Sequence, residues 1–342
     1  MDSITIKDVA RICGVGVSTV SRAINNHPDI NEETKNMILQ IIREHNYIPN
    51  NSARNLKRSV SRTIVVFIKG IDNPFFSTMI KIFGEEIQNR RYSFLLHRVD
   101  SGENEVDAAM EVIKEKKPKG IIFLGGCFSH SQEKLKQLDI PFVLSTIAST
   151  EQMDQDQFSS ISVDDMAESY KMVSYLCVQG HKKIGILAAT PDDESIGRLR
   201  LLGYRKALLD HNIPPDPRWI FYSDEDIECY TMGNGYRQMQ RVMDSDLDLT
   251  ALFAVSDSVA IGACKAVFDA GRSVPEDYSI AGFDGLDIAR YYNPTITTIR
   301  QPVEEMALAT TNLLFDMIHS KAPNRQNVFR GELMVGQSTR PI

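Results

Sequence analysis

Apolar side chains recur at i, i+3, i+4 and i+7 over Ile6, Val9, Ala10 and Cys13, the spacing of one helical face. Residues 5 to 12 are therefore expected to form a short amphipathic helix, with Thr5 and Asp8 three apart in the manner of a capping box. Gly14 is expected to break it, and a second apolar set, Val17, Val20, Ala23 and Ile24, marks the next helix. The small residues Ala10 and Gly14 would let the two helices cross closely, as a helix-turn-helix requires. A third helix follows. Asn31 is placed to cap it, Glu32 and Glu33 suit its positive N-terminal end, and Met37, Ile38, Ile41 and Ile42 would cover the other two.

From Thr63 onward the period changes. Short apolar runs of strand type at 64–68, 92–96, 120–124, 141–144, 184–188, 219–222, 252–255 and 279–283 alternate with amphipathic segments of helical length. Repeated β-α-β units give parallel sheets, and so many of them predict two doubly wound layers rather than one. Ligands in such folds sit beyond the carboxyl ends of the strands, which here means a cleft between two lobes.

Between the two patterns runs a polar stretch, Tyr47-Ile48-Pro49-Asn50-Asn51-Ser52-Ala53-Arg54-Asn55-Leu56-Lys57-Arg58. Pro49 is expected to stop the third helix, and Asn50 or Asn51 to cap a new short one. Leu56 stands among Arg54, Lys57 and Arg58 with no apolar stripe to bury it. An exposed Leu among cations fits a wedge pushed between base pairs from the minor groove, with its neighbours on phosphates or in the narrow groove.

Length and charge sharpen this picture. A chain of 342 residues that is 42% hydrophobic can bury more than one core, so two or three domains are expected. The start has no basic segment followed by an apolar run, and no stretch of about 18 uninterrupted apolar residues occurs, so a cytoplasmic protein without membrane contact is expected. Net charge is −7, yet residues 1–62 carry nine Lys/Arg against six Asp/Glu and stand at +3, leaving the remainder at −10. A basic head on an acidic body suits a protein that touches phosphates at one end only. Five cysteines lie far apart with no C-x-x-C pair, which points to reduced thiols rather than a zinc site or a disulfide framework.

With these residues in view, the chain resembles the lactose-repressor and galactose-repressor (LacI/GalR) family of bacterial transcription regulators over its whole length. The likeness is carried by Ile6-Lys7-Asp8-Val9-Ala10, Gly14-Val15, Thr19-Val20-Ser21-Arg22, Asn25, Tyr47-Ile48-Pro49-Asn50, and Ala53 with Leu56. The resemblance implies an all-α helix-turn-helix head (1–49), a hinge helix and linker (50–62), and a two-lobed periplasmic-binding-protein-like body (63–342). The chain would cross between lobes near Val163, near Arg300 and again before the last strands, giving a first lobe of 63–162 and 301–324 and a second of 163–300 and 325–342. Val17, Ser18 and Arg22 would face base edges, while Thr19, Ser21, Asn25 and Thr34 would contact phosphates or support those that do. Thr5 in the head, and Asn50, Ala53, Arg54, Leu56 and Lys57 in the hinge, complete the implied DNA-contacting set. Arg22 on guanine O6 and N7 would supply about 1–3 kcal/mol of discrimination. One departure is Gly16, where the family usually has Ser; a capping hydroxyl is lost at a cost of a few tenths of a kcal/mol.

Catalysis finds no constellation. Lys69-Gly70-Ile71-Asp72-Asn73-Pro74 after the first strand is not a G-x-G-x-x-G, no P-loop or G-x-S-x-G elbow occurs, and the seven histidines have no metal-ligand spacing. No enzyme activity, cofactor or metal is expected. Candidate ligand residues instead come from strand ends. Asn73 is placed to cap a helix beginning at Pro74, and Phe75 or Phe76 to stack on a ring face. By the resemblance, Arg200 would fork onto ligand hydroxyls or a carboxylate, Asp284 would be the acidic ligand residue, and Tyr230 an aromatic platform under a sugar. A cation and an anion aimed into one cleft suit a polyhydroxylated molecule; alternatively they pair with each other. Ser256 and Thr146 stand at further ligand positions implied by the resemblance, though each departs from the residue usual there. Lys69 would favour an acidic or phosphorylated ligand if it points inward, and otherwise points to water.

The expected protein is a homodimeric repressor on a near-palindromic double-stranded DNA operator, its affinity set by a small molecule, a sugar or related metabolite, bound between the lobes. One recognition helix and one hinge are too few contacts for tight binding, whereas two sets a helical turn apart read an inverted repeat. A protein co-repressor is the alternative. A solute-binding protein without DNA function shares the two-lobed body and is weaker, since a helix-turn-helix stands where a signal peptide would be.

Overall fold

The computed structural model describes residues 4–24, 26–45, 47, 61–100, 102–128, 132–149, 155–224 and 226–342. The chain divides into two compact units, Met1–Ser61 and Arg62–Ile342.

The first unit holds α1 (Ile6–Ile12), α2 (Val17–Ile24) and α3 (Glu32–Glu44). Thr5 caps α1 in a complete capping box with Asp8, and the Asn31 side chain accepts from the backbone N–H of Glu33 and Thr34 to start α3. Val9, Ala10, Val20, Ala23 and Ile38 form the small core; Met37, expected to cover the other helices, is exposed instead. Gly14 has φ +64°, and a Cβ there would meet nothing within 4 Å, so it is needed for its left-handed backbone and not for close crossing. Helix α3 closes at His45, whose N–H reaches the carbonyl of Ile41, before Pro49 is reached, so the proline is not its stop.

The second unit runs β1 (Thr63–Ile68), α4 (Phe75–Asn89), β2 (Ser93–Arg98), α5 (Glu105–Lys116), β3 (Gly120–Leu124), β4 (Cys127–Phe128), α6 (Gln132–Leu135), β5 (Phe142–Ser145), β6 (Ala148–Ser149) and β7 (Ser159–Val163). There follow α7 (Asp165–Val178), β8 (Ile184–Leu187), α8 (Ile196–Asp210), β9 (Ile220–Phe221), α9 (Met232–Asp244), β10 (Ala251–Ala254), α10 (Asp257–Asp269), β11 (Ser279–Asp284), α11 (Asp287–Tyr291) and β12 (Thr297–Arg300). Helix α12 (Val303–Ser320), β13 (Gln326–Phe329) and β14 (Glu332–Met334) close the chain.

Two six-stranded sheets result, in the orders β13-β7-β5-β3-β1-β2 and β14-β12-β11-β10-β8-β9. All their pairings are parallel except that of β14 with β12. Strands such as β1 and β3 are buried on both faces, which is why they read as continuous apolar runs. Strand β7 is different: its Ser-Ser-Ile-Ser-Val sequence alternates buried and half-buried positions, and it had no apolar run to announce it.

Chain crossings between sheets follow β7 and β12. The third lies later than the sequence suggested. Gln326–Phe329, expected in the second lobe, pairs in parallel with β7 and edges the first sheet, so the chain crosses at residues 330–331. The Gln326 amide donates to the carbonyl of Phe158 at 2.6 Å and the Ser160 N–H to the carbonyl of Arg325 at 3.0 Å, while Phe329 packs against the core.

Candidate nucleic-acid face and inter-lobe cleft

In the head, α2 turns Val20 and Ala23 inward and leaves Val17, Ser18 and Arg22 exposed on one face; Val17 is 42% exposed in a small domain short of core residues. Thr19, Ser21 and Thr34 are half-buried beside or behind that face. The Thr5 hydroxyl is engaged locally, donating to the Asp8 carboxylate at 2.6 Å, and the bonds from Thr5 hold that carboxyl below its usual range. Asn25, Asn50, Ala53, Arg54, Leu56 and Lys57, and with them the proposed hinge helix, lie outside the described residues.

In the body, the ends of β1 and β3 and the segments after β8 and β9 border a recess of about 360 Å³, and a narrow inner recess of about 10 Å³ lies behind it, sharing Asn73, Phe76 and Ile196. Lys69, Asn73 and Tyr230 border the outer recess; Asn73, Phe75, Thr146, Arg200 and Asp284 border the inner one. Seven of the eight sequence-named ligand residues are thus gathered along one cleft.

The centre of the inner recess is Arg200, only 1% exposed. Its Nε donates to Asp165 Oδ1 at 2.9 Å, a terminal nitrogen lies 2.8 Å from the same oxygen, and the other terminal nitrogen lies 3.5 Å from Asp284 Oδ1 and also donates to the carbonyl of Val255. The guanidinium sits 3.7 Å from the centroid of the Phe283 ring, a cation–π contact. Burial pushes the Asp284 carboxyl up to about 6 against the pull of Arg200, and it raises Asp165 likewise. Gln301 donates to Asp284 Oδ1 at 2.9 Å and the Asn73 side chain, close by, also favours the ionised carboxylate, yet neither Asp284 Oδ2 nor the buried Thr146 hydroxyl has a partner at full hydrogen-bond geometry. Both residues border the inner recess.

Asn73 accepts from the N–H of Phe75 at 3.0 Å, so the helix starts one residue later than expected, at Phe75. Both Phe75 and Phe76 are buried and packed edge to face. Tyr230 is half-buried, with its hydroxyl 3.3 Å from that of Ser195, and burial raises its phenol. Lys69 borders the cleft, but its ammonium is spent on the Glu103 carbonyl at 2.9 Å and on Glu105 at 3.6 Å.

Ser256 departs from expectation. Its hydroxyl accepts from the Val259 N–H at 3.3 Å and caps α10, and it borders neither recess. A Ser before a helical run is a cap by default, and that role outweighs its position at a strand end.

Three cleft residues have no counterpart among the sequence expectations: Asp165, Gln301 and Asp193. Asp165 carried a signal, since Asp164-Asp165 directly follows β7. Gly197 packs so closely that a Cβ would lie 2.3 Å from Asp193 Oδ2 and 2.8 Å from the Tyr230 hydroxyl. No sequence pattern announces that contact.

Among the described residues no group of His, Cys, Asp or Glu could hold a metal ion, and no helix is long and apolar enough to cross a membrane.

Comparison with known proteins adds the following. Residues 5–50 match the model of bacterial regulatory proteins, lacI family, and residues 173–339 match a periplasmic binding protein-like domain. A transcriptional regulator, MalR of Clostridium butyricum, is 40% identical over 96% of this chain and 97% of its own. Among solved structures, a complex of the transcriptional regulator CelR with cellobiose is 26% identical with a TM-score of 0.70, covering 98% of this chain and 99% of that one. A lac repressor dimer bound to operator shares the fold at 22% identity, with a TM-score of 0.77 over 99% of this chain and 100% of that one.

Proposed function

We infer the working of this protein from a plain premise: the chain belongs to the lacI family of bacterial regulatory proteins, and is a DNA-binding regulator of transcription, not an enzyme. We propose that it acts in the cytoplasm as a homodimeric repressor on a near-palindromic operator, and that a sugar or related metabolite in the inter-lobe cleft sets its affinity for DNA. The observation that carries this reading is the unpartnered Asp284 Oδ2 beside the clamped Arg200, at the back of a cleft whose two walls belong to different sheets.

A hydroxyl-bearing ligand that donates to Asp284 and meets Thr146 touches both lobes at once, and therefore favours the closed arrangement by its differential affinity. Closure about three crossing segments rotates one lobe against the other, and in a dimer this changes the separation of the two heads. Val17, Ser18 and Arg22 supply the base contacts, with Thr19, Ser21, Asn25 and Thr34 on or near phosphates. Asn50, Ala53, Arg54, Leu56 and Lys57 supply the minor-groove contacts.

The test is selection of random duplex DNA by the full-length protein, followed by gel-shift titration with sugars. An enriched inverted repeat whose affinity changes with a small molecule is expected. Enrichment of no inverted repeat sinks the dimeric reader; an operator complex indifferent to small molecules but altered by a second protein moves control to a co-repressor.

A further inference from the structure

We propose that the cleft selects a hydroxyl-rich saccharide carrying no phosphate or carboxylate, and that an acidic rim turns away the anionic counterpart of the same sugar. This rests on the cleft being the effector site and adds the charge class of its ligand.

Asp72 on the first lobe and Asp192, Asp193, Glu194 and Glu228 on the second all border the outer recess. A cleft lined by one sign of charge between low-dielectric walls focuses the field, so the rim repels an approaching anion more than an open surface would. Among the described residues, the cations that border the two recesses are already paired. Lys69, the one basic residue bordering this recess among the described residues, is held by the Glu103 carbonyl and Glu105, and Arg200 behind it by Asp165 and Asp284. Arg198 and Arg205 border an adjoining depression that shares Asp192, Asp193 and Glu194 with this recess, and lie outside the recess itself.

The second observation is independent of the rim. Asp284 and Thr146 border the inner recess and are 3% and 6% exposed, and Asp284 Oδ2 and Thr146 Oγ1 have no partner at full hydrogen-bond geometry. An ionised carboxylate only accepts, so its occupant must donate. A sugar hydroxyl does; a phosphate group near neutral pH brings acceptor oxygens and a charge of about −1.5 to −2.

The test uses the full-length protein with matched pairs: cellobiose, maltose and trehalose, each against its 6-phosphate, by thermal shift and titration calorimetry. For any sugar that stabilises the protein, the 6-phosphate is expected to bind at least about tenfold more weakly at about 50 mM salt, and the gap to shrink at about 500 mM as the rim is screened. Combining Asp192→Asn, Glu194→Gln and Glu228→Gln should shrink it too. A 6-phosphate that binds as well as or better than its parent at low salt overturns the proposal, as does a gap unmoved by both salt and the triple substitution. The reading of the cleft as effector site fails differently: a stabilising sugar would then bind Asp284→Ala as tightly as the parent protein.

Discussion

At the cleft the first lobe contributes the buried Phe75–Phe76 pair, Asn73 and an unpartnered Thr146 hydroxyl, while the second contributes Arg200, Asp165, Asp284 and, one strand away, Asp257. Both walls stand at the carboxyl ends of similarly ordered sheets, yet the first sets an aromatic pair beside a lysine tied to Glu105, whereas the second buries an arginine between two carboxylates. The difference separates two tasks. An aromatic pair supplies shape and surface to cover, whereas a buried ion cluster supplies orientation, and only the latter is sensitive to the loss of a single charge.

Arg200→Ala should have the largest effect, because it leaves Asp165 and Asp284 buried without their counter-charge. A loss of about 3–5 kcal/mol in urea unfolding is expected. A loss under about 1 kcal/mol, the range of exposed pairs, would show that the cluster is not closed from water and would erase the contrast between the walls.

The same cluster predicts a pH dependence. Burial, and then the charge of Asp284, push Asp257 up to about 8, although Thr298 donates to it at 2.6 Å and Leu286 N–H at 2.7 Å. Asp284 stands at about 6. Raised carboxyls bind more protons in the folded than in the unfolded state, so stability should fall as pH rises from about 4 toward about 8, by at most about 1.4 kcal/mol per pH unit for one proton. His181, which burial depresses, works in the opposite sense below about 6.5. Between pH 6.5 and 8 the His181 contribution is over, and comparison with Asp257→Asn separates Asp257 from the other raised carboxyl, Asp165. Denaturation midpoints that stay flat there, or that fall equally in Asp257→Asn, would contradict the assignment.

The smallest effect belongs to the first lobe. The Thr146 hydroxyl has no partner, so Thr146→Val exchanges an unsatisfied buried group for a methyl of similar shape and should change stability by less than about 0.5 kcal/mol. Its effect should appear in ligand titrations instead. A large loss of stability would mean that this hydroxyl is held by a polar contact after all.

What could be read in advance follows the range of the interactions. Thr5 with Asp8 and Asn31 with Glu33 act within three residues, and the apolar runs of β1, β3 and β11 report burial on both faces by composition alone. Arg200 meets Asp165 and Asp284, 35 and 84 positions away, and nothing local distinguishes these from exposed charges. Lys69 shows the same limit: its place at a strand end left both inward and outward readings open, and the carbonyl of Glu103, across a separate loop, settled it. Ser256 lost its expected role to a cap, and β13 lay hidden because a polar edge strand has no apolar run.

The amino-acid order by itself determined the helical reader, its caps and its exposed α2 face, and the succession of β-α units, because each depends on neighbours a few residues apart or on simple periodicity. Tertiary structure alone decided which charges are buried together, which lobe takes the last edge strand, and the acidity of the cleft rim, because these arise only where distant segments exclude water from one another.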